Sequence, residues 1–486
     1  MQRHVSKQRQ TATRTAVYSF MTLTVAVIVG ILTLIILGYS FNERDGRLEQ
    51  GGLLQIASTP NGAAVTLDEL KLGSQTDTKA TVDVGSHSVS IDRSGYRSWK
   101  KTIYINAGEI GWINYARLIP TKLSPQPVRT FAVLSGSLAS PQHKYLVMKQ
   151  APDQPVFELA DLQSDTIKYS TLSLSATSYT APSAGKTQAF TLESWSQDEA
   201  AILVKHTYDD TKTEWLLLNR ESPEKSINIS ASFGVQPTKL IFAGNGNKLL
   251  FVQSDNSVRR INLDEQTLSR PLVSNVEDFS EYDDKTIIYT TLADTATAKR
   301  TVGYAAVDIA QPQTIHSYPA DGQPLRAAME TYFNKRYIST VYGQKLTIES
   351  GSLPTPDRAA DLKVFKTQTI PAGITRLSVT PNGRFIVSEL PDGYATYDVE
   401  LKKYDKTAWV YPATADRPIQ WLDDYIVWSD NGGQLRIYDF DGANQQTIVP
   451  VTEGFASTIN PNGKYLYGVL KTDKGFELRR VQLILN

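Results

Sequence analysis

The side chains able to move protons, hold metals or attack substrates are few and scattered. The five histidines, His4, His87, His143, His206 and His316, stand far apart, and none shares a short motif with a second ligand. Such spacing builds no local metal site. There is no cysteine, which excludes disulfides, thiolate metal sites and thiol nucleophiles. Neither a Gly-x-Ser-x-Gly elbow nor a phosphate-cradling Gly-x-x-x-x-Gly-Lys loop occurs. No cofactor, metal or catalytic residue is therefore expected.

Carboxylate pairs are the exception, because glycoside cleavage runs on two acids. The candidates are Asp209-Asp210, Asp283-Asp284, Asp423-Asp424 and Asp439 with Asp441. Neighbouring acids at turns more often bond to their own backbone. Asp439-Phe440-Asp441-Gly442 lacks the further oxygen ligands of a calcium loop. Trp409, Trp421 and Trp428 would stack on sugars if exposed, and fill blade cores if buried.

These residues sit in a chain of 486 residues, 41% hydrophobic and 21% charged. That composition excludes global disorder. Fifty basic and fifty acidic residues balance, which argues against nucleic acid as a partner.

Residues 15–42 carry no charge, and 13 of residues 16–40 are Leu, Ile, Val or Phe. As a helix this stretch spans roughly 42 Å, enough for a hydrocarbon core of about 30 Å. Its length exceeds that of a signal-peptide core, so residues 15–41 read as an uncleaved transmembrane signal anchor, with cleavage at Gly38-Tyr39-Ser40 as the alternative; no polar face appears, which argues against a buried helix of a soluble domain. Arg3, Lys7, Arg9 and Arg14 precede it without an acid, which places residues 1–14 in the cytoplasm and the bulk outside. That bulk carries a formal charge of −4, since all fifty acids but only the other basic residues fall in it.

Across residues 52–122 the apolar pattern has period two: Leu54 and Ile56, Val65 and Leu67, Val89 and Ile91, Ile103 and Ile105. Half-buried strands follow, and a small antiparallel β-sandwich is expected. The run from Gly52 through Pro60-Asn61-Gly62-Ala63 to Asp68, with Gly85-Ser86-His87 and Gly95-Tyr96-Arg97-Ser98-Trp99 behind it, resembles a PEGA domain. The name-giving Pro-Glu-Gly-Ala reads Pro60-Asn61-Gly62-Ala63, the expected Asp-Gly is Asp68-Glu69, and the Thr-Pro of the middle loop is missing. Pro60, Gly62, Ala63, Gly85, His87, Gly95 and Tyr96 are the positions carrying the family motif. The resemblance implies an extracytoplasmic module of cell-surface proteins, without catalytic residues. Gly62 and Gly95 suit turns of positive φ, and His87 reads as a core or edge residue with one hydrogen bond.

Pro120, Pro125 and Pro127 suggest a stiff linker. Beyond it a unit recurs, clearest at Pro381-Asn382-Gly383-Arg384-Phe385, Pro461-Asn462-Gly463-Lys464-Tyr465 and Pro141-Gln142-His143-Lys144-Tyr145. Weaker copies begin at Gln197, Gly244, Tyr282, Phe333 and Trp421, giving eight units. A spacing in the forties with several strands per unit marks propeller blades. The Pro-Asn-Gly copies resemble the TolB-type propeller repeat, which implies a binding propeller over residues 128–486. The last unit has too few residues for four strands, so a strand near residues 128–134 is expected to complete it. Residues 352–371 read as an exposed loop.

The fold expected is an all-β ectodomain behind one transmembrane helix: a PEGA-like sandwich and a propeller of eight blades in preference to seven. The function expected is a membrane-anchored binding or scaffold protein of the bacterial cell envelope. It would meet a cell-wall polymer or an envelope protein. The alternative is a propeller enzyme acting on envelope glycans.

Overall fold

The computed structural model describes residues 7–36, 39–42, 47–380, 382–408 and 419–485. Outside these lie Arg3 and His4 of the basic N-terminal stretch, Pro381 of one repeat, and Trp409. The chain divides into two units, 1–122 and 123–486.

In the first unit, helix Lys7–Ile36 includes the apolar window Arg14–Leu34, none of which is buried. It is long and apolar enough, by length and composition, to cross a membrane. Residues 39–41, expected within the anchor helix, lie outside it. Tyr39–Asn42 instead pairs antiparallel with Arg47–Gln50.

Two sheets follow. Strand Gly52–Thr59 lies between Thr78–Val82 and Ile110–Arg117; strands Leu70–Gln75, Ala64–Leu67, Gly85–Asp92 and Trp99–Ile105 form the other sheet in that order. The period-two residues face inward: Leu54, Ile56, Val65, Ile91 and Ile113 are buried. Trp99 meets Tyr115 edge-on at 5.9 Å, and Tyr96 is buried beside them in sequence. One expectation fails. The sandwich is not purely antiparallel, because Gly52–Thr59 and Ile110–Arg117 run parallel. Strand Ile110–Arg117 is reached over an intervening sheet, and such a return brings it back in the original direction.

Among its described residues the second unit holds eight four-stranded antiparallel sheets. Blades 1 to 7 cover residues 136–173, 188–228, 239–268, 276–319, 325–369, 376–408 and 420–450. Blade 8 covers 458–482, and its fourth strand is Gln126–Phe131, paired with Gly475–Gln482. The expected closure is thus made by a strand starting two residues earlier. Pro127 therefore lies in a closing edge strand and not in a linker; the register shifts between Pro127 and Arg129, as a residue without an N–H requires. Residues 352–371 also differ from expectation. Asp361–Thr369 is the outer strand of blade 5, and its Lys-rich, half-exposed pattern hid it from an apolar-period reading.

Between blades the core repeats. Phe157, Phe190, Trp195 and Leu216 fill the seam of blades 1 and 2; Tyr337, Ile348, Ile386 and Tyr397 fill that of blades 5 and 6. Phe131, Leu146, Tyr467 and Leu478 fill the closing seam. Each large apolar side chain so buried contributes on the order of 2 kcal/mol. The first strands of blades 1 and 2, and of blades 4, 5 and 6, contact one another, so the first strands are innermost.

Phe131 tests the closure. It is 3% exposed in the closing strand. Phe131→Ala should lower stability by about 3–4 kcal/mol, read as the shift in urea unfolding of the second unit's transition.

Candidate functional site

The repeat residues fall at the turn joining the first and second strands of a blade, or in the strand residues next to it. In the clear copies this loop is clamped by one buried side chain. Ser140 Oγ accepts from Tyr145 N at 2.9 Å, Ser196 Oγ from Ala201 N at 3.0 Å, Thr380 Oγ1 from Phe385 N at 3.0 Å, and Asn460 Oδ1 from Tyr465 N at 2.9 Å. An Asx turn follows: Asn382 Oδ1 accepts from Arg384 N, and Asn462 Oδ1 from Lys464 N. Gly383 adopts φ +75°, and a Cβ there would sit 2.2 Å from Thr331 O of the preceding blade, so only glycine fits.

Neighbouring loops are also joined to each other. Buried Glu199 Oε1 accepts from Ser140 Oγ at 2.6 Å and Gln142 N at 2.8 Å, tying blade 2 to blade 1. His143 Nδ1 meets Thr458 Oγ1 of blade 8 at 3.0 Å. Tyr282 OH meets Thr331 Oγ1 of blade 5 at 2.8 Å, and Arg336 Nε donates to the same tyrosine oxygen at 3.0 Å. These cross-blade bonds put the loops on one face of the ring.

Open clefts lie on that face, two of them sharing Tyr282 and Asp283 of blade 4. One, of about 480 Å³, is formed by Gly244-Asn245-Gly246 of blade 3 and residues 281–284 of blade 4. The second, of about 320 Å³, shares Tyr282 and Asp283 and adds Tyr304, Arg336 and Arg358. Glu281 ends the first strand of blade 4, and one carboxyl oxygen accepts from Gly244 N. Burial pushes its pKa up to about 7, against that hydrogen bond and with the help of Glu330, Asp283 and Asp284. Burial likewise raises Glu330. Asp283 instead holds its own turn, where its Oδ1 accepts from Lys285 N at 2.9 Å and Thr286 N at 2.7 Å. A cleft holding a carboxyl protonated near neutrality beside turn-bound carboxylates could donate a proton or bind a cationic or polyhydroxylated ligand.

Sequence reasoning found Asp283-Asp284 and missed Glu281 and Glu330, whose signal was only their position at the end of an innermost strand. In each of the other acid pairs at least one member is held by local bonds. Asp209 and Asp210 form an exposed turn of positive φ, with Lys212 and Lys186 as partners; Asp210 is held down to about 2 by the bonds from Lys186 and Thr187. Asp423 Oδ1 accepts from Tyr425 N and Ile426 N. Asp439 is buried and accepts from Asn444 at 2.9 Å. Trp428 is buried and Trp421 stacks near Phe385. His206 is buried against Glu214 at 2.8 Å, and His316 pairs with Glu349 of the next blade. Among the described residues no group of three His, Asp or Glu is placed to hold a metal.

The motif positions of the first unit form a structural network. Ser58 Oγ donates to Pro60 O at 2.7 Å and meets Thr76 Oγ1 at 2.7 Å; that hydroxyl accepts from Ala63 N at 3.0 Å. Gly62, at φ +72°, donates its N–H to Thr76 O at 2.7 Å. Gly85 opens a strand at positive φ, and Gly95 O accepts from Thr121 N. Asp68 and Glu69 keep the two-residue turn of positive φ where the family has Asp-Gly. His87 makes two hydrogen bonds and not one: Nδ1 to Asp68 Oδ2 at 2.6 Å and Nε2 to Asp83 O at 2.7 Å. Burial opposes charge on His87, but the bonds to Asp68 and Asp83 outweigh it and raise its pKa.

The PEGA domain family matches residues 52–118, and the rest of the chain lies outside that match. The comparison with curated proteins finds no match. Among solved structures, apo AztD from Citrobacter koseri is similar over 81% of this chain and 96% of its own, at 12% identity and a TM-score of 0.38. An oligogalacturonate lyase in complex with manganese is similar over 75% of this chain and 98% of its own, at 11% identity and a TM-score of 0.38. At such scores these likenesses bear on neither activity nor ligand.

Glu281 gives a pH test. An acid raised to about 7 stays protonated in the folded chain where the unfolded chain has already ionised. Stability therefore falls as pH rises from about 4.5 to about 7, by on the order of 3 kcal/mol at most. Glu281→Gln removes the ionisation and keeps an acceptor for Gly244 N. The variant should match the parent near pH 4 and exceed it near pH 8 by on the order of 1–3 kcal/mol. A difference independent of pH in urea titrations would refute this origin.

Proposed function

We propose that this protein is a membrane-anchored, extracytoplasmic binding or scaffold protein of the cell envelope. The carrying observation is the combination of an apolar helix with no buried residue in its window and a PEGA domain directly behind it. A helix apolar on all sides has no stable place in water. The basic residues before the uncharged stretch, Arg3, Lys7, Arg9 and Arg14, favour a cytoplasmic N-terminus. The propeller then supplies the binding surface, and its loop face with the two clefts at blades 3 to 5 is the surface proposed to meet the partner. A cell-wall polymer or another envelope protein is the partner class. In the clefts, Tyr282, Asp283 and Arg336 offer both ring and hydrogen-bonding groups, which suits a polyhydroxylated polymer.

One observation favours a second reading, an enzyme acting on envelope glycans. Glu281 is an acid held protonated to near neutrality in a cleft that also contains the carboxyl groups of Asp283 and Asp284, and glycosidic cleavage uses two carboxyl groups. Release of new reducing ends from wall polysaccharide, lost in Glu281→Gln, would support it; saturable binding without turnover would leave the scaffold reading.

The lack of cysteine makes the anchoring easy to test. Ser6→Cys and Asp473→Cys place one thiol on each side of the helix. In sealed right-side-out vesicles a membrane-impermeant maleimide should label only the thiol at position 473, and both after detergent. The protein should also resist alkaline carbonate extraction. Labelling of position 6 in sealed vesicles, or release by carbonate, would overturn the proposal.

A further inference from the structure

The first unit has two distinguishable ends. Strand Gly52–Thr59 begins where the chain arrives from the apolar helix, and the parallel strand Ile110–Arg117 begins beside it, with Leu53 opposite Ile110. Both strands run away from that end, so the chain leaves at the other, roughly 25 Å away along eight residues of strand. The arriving end is also on a short lead. Tyr39 pairs with Gln50, so the hairpin closes its own ends, about 5 Å apart. Counting only the three steps from Ile36 to Tyr39 and the two from Gln50 to Gly52, Gly52 lies within roughly 25 Å of the helix end.

Five large apolar side chains of residues 52–122 are well exposed: Leu70, Val84, Tyr104, Ile110 and Trp112. Four of them gather at the arriving end. Val84 lies two residues past Val82, which pairs with Gly52. Tyr104 pairs with Ser86 at the start of its strand. Ile110 and Trp112 lie opposite Leu53 and Gln55. Their exposure alternates with the buried Gly111 and Ile113, so they point outward from their sheet. Tyr104 points outward from the other sheet, next to the buried Ile105. The apolar groups thus flank the end of the sandwich on both sides. A protein docking on one sheet would cover one flank only. A planar apolar layer met end-on covers both.

We infer that this end of the PEGA domain rests in the interfacial layer of the membrane, with Tyr104, Val84, Ile110 and Trp112 as its foot; the inference rests on the anchoring proposed above. Tyr and Trp are the residues that favour the headgroup level, where an apolar ring and a polar edge are both satisfied. Asp83 and Glu109 share this end, and exposed Lys79 pairs with Gln55 at the level of Trp112, so charges of both signs match a zwitterionic headgroup layer. The opposite end shows no exposed large apolar side chain: Leu118 and Ile119 are buried. The domain then stands on the membrane and fixes the height at which the chain continues.

The test uses the full chain in phosphatidylcholine vesicles, with one environment-sensitive dye per molecule. The positions are Ile110→Cys and Tyr104→Cys on the two flanks, and Asn61→Cys at the far end. All three are at least partly exposed, so labelling leaves the core intact. Spin-labelled lipid should quench the dye at 104 and at 110 about two-fold or more above that at 61, with blue-shifted emission. Equal, water-like emission at all three positions, in protein that resists carbonate, would overturn the inference and leave the anchoring standing. Protection of 104 or 110 from aqueous quenchers without quenching by lipid would assign the foot to a protein partner and also overturn it. Release of the protein by carbonate would overturn both.

Discussion

Everything in the second unit depends on closing the ring. A propeller blade is a four-stranded sheet with apolar residues on both faces, and each face is covered only by the next blade. Seven seams can form in chain order, but the eighth joins the first blade to the last. Here that seam is made by Gln126–Phe131 pairing with Gly475–Gln482, so the two ends of the unit hold each other. Without it blade 8 would keep three strands and expose a ladder edge, and the cluster of Phe131, Leu146 and Tyr467 would meet water.

The repeated loops show how one sequence motif is reused and where it is abandoned. Blades 1, 2, 6 and 8 keep a clamp residue at Ser140, Ser196, Thr380 and Asn460, all buried. At the corresponding place, blade 3 has Ala243 and blade 4 has Tyr282, which keep the backbone bond across the loop but bring no side-chain clamp to it. The clefts open at these seams. Freed from clamping its own loop, Tyr282 reaches across to blade 5, and Gly244 N is available to Glu281. The departure from the repeat and the candidate site therefore coincide at blades 3 and 4.

In the first unit the parallel pair sets the direction. An all-antiparallel sandwich with an even number of strands would return the chain towards its point of arrival. The parallel register of Leu53 with Ile110 sends it onward instead. Asp68 shows how motif changes are absorbed: it takes positive φ in a turn normally eased by glycine, and its carboxylate is held by His87 and Ser88 N.

Much of this was already determined by the sequence. Strand periodicity, eight units, the need for a borrowed closing strand and the PEGA domain all follow from local pattern, because half-buried strands and tight turns demand particular residues at fixed spacing. The bounds of the apolar segment were set by charge. Only the tertiary structure decided the rest. That Ile110–Arg117 runs parallel to Gly52–Thr59, that Asp361–Thr369 is a strand, and that Pro127 belongs to the closing edge are outcomes of pairing, which single-strand patterns do not encode. Glu281 became a proton-holding group because blades 3 and 5 surround it. Its neighbours there, Gly244 and Glu330, are distant in the chain, and burial and charge act through space.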